Sequence, residues 1–146
     1  MIEVKIARSD REREDAYDVR KKVFVEEQGV PISLEIDEFD NTASHFIVYD
    51  EKRPIGAGRI REIGPGIGKV ERVCVLKELR GKHLGNLIMH ELERHAKSAA
   101  MTKIVLNAQS YAVPFYEKLG YTVTSPEFMD ADIPHRAMEK EIAPLS

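Results

Sequence analysis

Cysteine is nearly absent from this chain: Cys74 stands alone, tryptophan is missing and aromatic residues make up only 7%. One cysteine cannot close an internal disulfide, which excludes a disulfide-stapled scaffold and suits a reducing compartment. On the Val-rich stretch around it, Cys74 reads as a small buried residue rather than a nucleophile. No apolar run approaches the roughly 18 residues that a membrane-crossing helix requires. The N-terminus has no apolar segment of the signal-peptide kind, so a cytoplasmic protein with no membrane partner is expected. An excess of one charge is missing as well. Lys and Arg number 22 against 25 Asp and Glu, a formal net charge of −3, and nucleic acid is therefore not an expected partner. What remains is ordinary for a soluble globule: 42% hydrophobic and 32% charged residues over 146 positions. That length suits one domain spanning residues 1–146. Neither internal repeats nor low-complexity tracts interrupt it.

The chain is organised around one stretch. Residues 69–76 are rich in Val and read as a buried strand. From Leu84 the apolar period changes: Leu84, Leu87, Ile88, Leu92, Ala96 and Ala99 recur at three- and four-residue steps, one face of a helix. Between them lies the turn Arg80-Gly81-Lys82-His83-Leu84-Gly85. The first N–H groups of a helix have no internal partner and carry partial positive charge. With Arg80 and Lys82 nearby, the turn is a candidate site for a phosphate or pyrophosphate. It is not a P-loop, because Lys82 is followed by His83 rather than by Ser or Thr. It is not a dinucleotide fingerprint either, because Gly81 and Gly85 are four apart.

Around this core the remaining elements can be placed in order. Ile2, Val4 and Ile6 alternate with polar residues in a first strand. Ser9 and Glu12 form a capping box for a helix reaching about Glu26, with Ala16, Val19, Val23 and Phe24 inward and its charges solvated. A long acidic loop covers residues 28–42, with Glu35, Asp37, Glu38 and Asp40 close together. It is either a solvated loop or a negative wall that attracts a cationic amine. Residues 43–50 form a strand with His45, Ile47 and Tyr49 on one face, and residues 54–60 return as its hairpin partner. Gly56 and Gly58 in that return strand mark close approach by another element. Residues 103–107 form a short buried strand, Ser110 is a candidate cap for the next helix, and Gly120 ends it. Residues 121–124 open a strand, residues 128–134 are irregular, and residues 135–142 form the last strand.

Two segments together resemble the GNAT acetyltransferase superfamily. The first is the run from Val75 through Arg80 and Gly81 to Gly85; the second is Asn107 through Phe115-Tyr116 to Gly120-Tyr121. The third-strand pattern Pro54-Ile55-Gly56 and the Val23–Gln28 and Glu35-x-Asp37 elements are also similar to a branch of small, stand-alone bacterial members. One departure is His83, where the family usually has Gly. The resemblance implies an α+β fold of three α/β/α layers: a mixed, mostly antiparallel sheet of about six to seven strands with about four helices. It further implies acetyl-CoA as donor and no metal. The pantetheine arm would lie between splayed strands near Val73 and Val75, beside Asn107, Phe115 and Tyr116. The pyrophosphate would rest on Arg80, Gly81, Lys82, His83, Leu84, Gly85 and Asn86. The acceptor would be an amine of a small molecule, aminosugar or peptide, lined by Glu35, Asp37 and His45. Oligomeric state, including a homodimer, stays open.

A primary amine must lose a proton before it attacks a thioester, because its ammonium form has a pKa near 10.4. Glu71 is the expected base, sharing by strand alternation a face with Val73 and Val75; the other reading makes it an ion-pair partner of Arg59, Arg61 or Arg72. His45 is a second candidate. Tyr116 is the expected acid for the departing thiolate, with core packing as its alternative. An acyl-CoA sensor without efficient turnover is the competing function.

Overall fold

A computed structural model describes residues 1–144. Its frame is one eight-stranded sheet in the order β1-β2-β3-β4-β5-β8-β6, with β7 paired to β8. The strands are β1 (Ile2–Ile6), β2 (Ser44–Asp50), β3 (Arg53–Gly64), β4 (Ile67–Val75), β5 (Lys103–Gln109), β6 (Thr122–Val123), β7 (Phe128–Asp130) and β8 (Ile133–Glu141). Four α-helices accompany them: α1 (Asp10–Arg20), α2 (Ile32–Glu35), α3 (Leu84–Ser98) and α4 (Val113–Lys118). Every strand pairing is antiparallel except β4 with β5. The sheet is thus the mixed, mostly antiparallel one expected, with eight strands rather than six to seven. The extra one is β7, where an irregular segment was expected. Ala131 and Asp132, both at positive φ (51° and 61°), turn β7 into β8. The usual Asn-Gly signature of such a turn is not written there.

The two layers of helices cover opposite faces. His45 packs edge-on against Tyr17 of α1, while its neighbour Phe46 packs against His95 of α3. Adjacent strand residues point to opposite faces, so α1 and α3 sandwich the sheet. Gly56 and Gly58 explain how α3 comes so close. A Cβ at Gly56 would lie 3.2 Å from Ile88 of α3 and 3.2 Å from the Cys74 carbonyl, and one at Gly58 would lie 3.2 Å from Ile88. The capping box at α1 is formed, with the Ser9 hydroxyl accepting from the Glu12 N–H and the Glu12 carboxylate accepting from the Ser9 N–H. After Arg20 the helix widens into a π-helical stretch, Lys21–Glu27, and ends before Gly29 at φ 76°. The acidic loop is more ordered than expected: it contains α2 and the 3₁₀ turn Glu38–Asn41, capped by Asp37. Ser110 does not cap α4. It opens a separate 3₁₀ turn, Ser110–Ala112, and its hydroxyl donates to Glu127. Among the described residues no helix is long and apolar enough to cross a membrane.

Candidate active site

The parallel pairing of β4 with β5 stops early. It runs from Ile67 opposite Lys103 to Val70 opposite Leu106, and no further. Beyond that point the two strands separate, and a cleft of about 580 Å³ opens between them. Its walls include Val73 and Val75 of β4, Asn107 of β5, and Phe115 and Tyr116 of α4. At one end lie Arg80, Gly81, His83, Leu84, Gly85 and Asn86.

A backbone irregularity decides which β4 side chains meet. Opposite β4, the β3 register shifts between Ala57 and Arg59, and Arg72 adopts φ 62°. Such a bulge places one extra residue on its strand and reverses the alternation beyond it. Glu71, opposite Arg59 and so level with His45, lies on the α1 face. Val73 lies beside the Gly58 position together with Ile88 and Leu92 of α3. The expected shared face of Glu71 with Val73 and Val75 is therefore corrected: the bulge puts them on opposite sides.

The Glu71 carboxylate is also occupied. Its Oε1 accepts from Arg61 Nε at 2.8 Å and from Arg59 Nη2 at 3.1 Å, and Lys69 lies 3.7 Å from Oε2. Burial alone would raise its pKa, but the hydrogen bond from Arg61 and the charges of Arg59 and Lys69 hold it below the ordinary carboxylate range. A carboxylate so stabilised as an anion is a weak base. Arg59 and Arg61, not Arg72, are its hydrogen-bonded partners.

The acidic loop does not form an open negative wall. Glu35 is 1% exposed and its Oε1 accepts from Arg20 Nε at 2.8 Å. Asp37 accepts from Arg59 through both oxygens at 2.8 Å, and from Arg72 at 3.2 Å. Asp40 accepts from Arg20 at 2.6 Å and Arg59 at 2.7 Å. The acids neutralise three arginines that the fold draws inward. Arg20 is itself 1% exposed, against the expectation of a solvated α1 face; its spacing from Ala16 and Val23 puts it on the buried stripe. His45 is buried, and its Nε2 donates to the Asp40 carbonyl at 2.8 Å. Burial depresses its pKa, so it is held neutral. It does not line the cleft, nor do Asp37 or Lys82; Lys82 is exposed.

The turn before α3 has the expected geometry with different side-chain roles. His83 occupies the left-handed region at φ 62°, ψ 21°, where a glycine would be unstrained. Histidine is among the non-glycine residues that enter this region most readily. Leu87 N–H bonds to the His83 carbonyl, which leaves the N–H groups of Leu84, Gly85 and Asn86 without intrahelical partners. Gly85 serves packing: a Cβ there would lie 3.1 Å from the Phe115 ring. Arg80 turns away from the loop. It donates to Glu27 through both terminal nitrogens at 2.6 and 2.7 Å and to the Val75 carbonyl at 3.1 Å.

Tyr116 lines the cleft from the α3 side and stacks edge-on with Phe115 and Tyr121. Its hydroxyl has no hydrogen-bond partner among the described residues. Burial pushes its pKa well above that of a free tyrosine, so the phenol stays protonated, as a proton donor must. Cys74 faces the α1 side opposite Ala57, and burial pushes its thiol up to about 12; it is no nucleophile. Sequence reasoning passed over His135 on β8 and Gln109 on β5. Both line the cleft, and they sit opposite each other in the β5–β8 register. Gln109 falls at an unspecified position inside the Asn107–Tyr121 segment, and His135 lies outside both segments.

A sheet split between two parallel strands, with the free N–H groups of a helix at one end of the gap, can take an extended ligand along its open strand edges and an anionic group at the helix end. Comparison with known proteins agrees. The acetyltransferase (GNAT) domain family matches residues 9–142, and the chain belongs to that family. A Bacillus subtilis protein described as an uncharacterized N-acetyltransferase, YjcF, is 49% identical over 93% of this chain and 97% of its own length. A crystal structure from Lactobacillus plantarum, provisionally named an N-acetyltransferase, superposes with a TM-score of 0.90 at 27% identity, covering 96% of this chain and 97% of that one. Escherichia coli ElaA shares the fold, with a TM-score of 0.87 at 24% identity over 97% of this chain and 100% of that one.

Proposed function

We propose that this protein transfers an acetyl group from acetyl-CoA to a primary amine by direct attack on the thioester. The observation that carries the reading is the end of the β4–β5 ladder at Val70 and Leu106. It leaves strand edges with no strand partner, directly beside a helix N-terminus with three free N–H groups. A pantetheine arm would lie against Val73 and Val75, and the pyrophosphate against Leu84, Gly85 and Asn86. Tyr116 would protonate the departing sulfur. Asn107 and Phe115 would line the acyl end. Glu71, Glu35, Asp37 and His45 are left out of this assignment, because arginines, or the Asp40 carbonyl in the case of His45, already engage them. The whole chain would act as one acetyltransferase domain.

Ligand-induced stabilisation tests the donor. At a concentration 100 times its dissociation constant, CoA or acetyl-CoA should add about 2.7 kcal/mol to the unfolding free energy. ATP and NAD, which lack the pantetheine arm, should add much less. If saturating CoA leaves the melting temperature unchanged, the cleft does not take this donor.

A further inference from the structure

The cleft continues into a smaller side pocket of about 90 Å³ on the α1–α2 face of the sheet. Phe24, Gln28, Arg72, Gln109, Asp130 and His135 border both spaces. Val30, Leu34 and Ile133 give the side pocket an apolar end. The Gln109 amide donates to Gln28 at 2.9 Å and ties β5 to the π-helical stretch at this junction. His135 stands opposite Gln109, 9% exposed, with its ring stacked on Phe128 at 6.0 Å between centroids.

The imidazole of His135 is oriented by the chain itself. Its Nδ1 lies 2.7 Å from the Ile133 carbonyl oxygen. A carbonyl only accepts, so Nδ1 must carry the hydrogen, and the neutral ring has its lone pair on Nε2. Among the described residues Nε2 has no protein partner. Histidine is the side chain most often used as a general base, and here a second group fixes its tautomer. We propose that His135 is the general base of the transfer and that the side pocket delivers the acceptor to it. The inference rests on the acetyltransferase reading above.

The two proton-transfer groups then sit on opposite faces of the split sheet. His135 belongs to the α1–α2 side with Gln109, and Tyr116 to the α3–α4 side. An amine arriving through the side pocket forms its bond to the carbonyl carbon, and its proton passes to His135 Nε2. The carbon–sulfur bond breaks, the electron pair leaves with sulfur, and the Tyr116 hydroxyl supplies the proton that makes the thiol. Solvent returns a proton to Tyr116 and takes one from His135, so the balance is amine plus acetyl-CoA to amide plus CoA. The small, apolar end of the pocket suits an unbranched or slender alkyl or aralkyl amine better than a bulky aminosugar. Besides His135, the ionisable groups lining the side pocket are Glu35 of α2, Arg72 of β4 and Asp130 of β7; the main cleft adds Lys69, Glu71 and Cys74 of β4, Arg80 and His83 of the turn, Tyr111 and Tyr116.

Two measurements test this. The first reads the free protein: long-range proton–nitrogen correlation of ¹⁵N-histidine-labelled protein should show His135 protonated at Nδ1 and bare at Nε2. The opposite tautomer overturns the proposal. The second is kinetic, with acetyl-CoA and a panel comprising tyramine, phenethylamine, putrescine and glucosamine. His135→Asn keeps an amide donor for the Ile133 carbonyl and removes the basic atom. It should lower turnover with the best acceptor by roughly 10²–10⁴-fold, abolish the rise of rate with pH on the acidic side, and leave acetyl-CoA affinity intact. His135→Ala should lose the same activity and regain part of it with added imidazole. If the wild type is active and the Asn variant keeps both rate and pH profile, His135 is not the base. If the wild type releases no CoA with any amine, the acetyltransferase reading itself fails, whichever tautomer His135 shows.

Discussion

Tyr116, half-buried, and Arg59, fully buried, show how differently two polar residues behave. Among the described residues Tyr116 has no partner for its hydroxyl, and it faces the cleft; Arg59 is 0% exposed and bonded to Asp37, Asp40 and Glu71. Tyr116→Phe keeps the ring and its packing and deletes the proton donor. Turnover should fall roughly 10²–10⁴-fold with CoA affinity nearly unchanged. A thiolate leaves readily, so the low end of that range is expected. Burial raises the phenol's pKa, so no basic limb in the rate profile below pH 10 should belong to Tyr116. Arg59→Met, by contrast, would remove one of the arginine partners of each of three carboxylates and should cost about 3–5 kcal/mol in urea-unfolding free energy. The same network sets the response to acid. Burial would raise the Asp40 and Asp37 carboxyls, but their arginine partners outweigh it and depress both. Their contribution is therefore full above the unfolded aspartate pKa of about 3.9 and is lost as pH falls below it toward the folded values. Urea midpoints should be flat from pH 7 to about 5 and fall steeply below about 4, less steeply in Arg59→Met. The sequence disclosed Tyr116 because its neighbours match a family pattern. For Glu71 it left two readings open, a base or an ion-pair partner of Arg59, Arg61 or Arg72, and pairing across the β3–β4 hairpin favours the second, with Arg59 and Arg61. It could not disclose His135, whose role depends on a tautomer set by the Ile133 carbonyl.

At the scale of elements, β4 governs the site. Its first half pairs with β5, and after the bulge at Arg72 it diverges. The Val-rich pattern revealed the strand and the change of period revealed α3, because both are local features of side-chain spacing. The bulge was not legible, since it resides in one positive φ at an arginine and inverts every assignment of faces that assumes regular alternation. Gly56 and Gly58 were legible as points of close approach, and α3 proves to be what approaches. Gly56→Ala would place a methyl group 3.2 Å from the Cys74 carbonyl, a backbone atom that cannot rotate aside. A loss of about 1–3 kcal/mol is expected from such overpacking, read as a lower urea midpoint at unchanged slope. Unaltered stability would mean that α3 can shift away from β3 at little cost.

Across the described residues, the gap between β4 and β5 joins the α1 face to the α3 face. The proposed chemistry uses both faces: acceptor and base on one side, cofactor pyrophosphate and acid on the other. The separate strands and helices followed from patterns spread along the chain, and the sheet type and its layers from the family resemblance; the strand order came only with the structure. The acceptor could not be anticipated, because the pocket that would take it is assembled from the π-helical stretch, α2, β4, β5, β7 and β8, and of the residues expected to line it, Glu35 borders it while Asp37 and His45 do not. The central claim is that the cleft turns acetyl-CoA over rather than merely holding it. The most direct test is the release of free thiol from acetyl-CoA with and without primary amines, with the amine products weighed by mass spectrometry. The account predicts amine-dependent thiol release and one added acetyl group on the amine. CoA that binds tightly, with no amine in a broad panel accelerating thiol release, would contradict it and leave an acyl-CoA sensor.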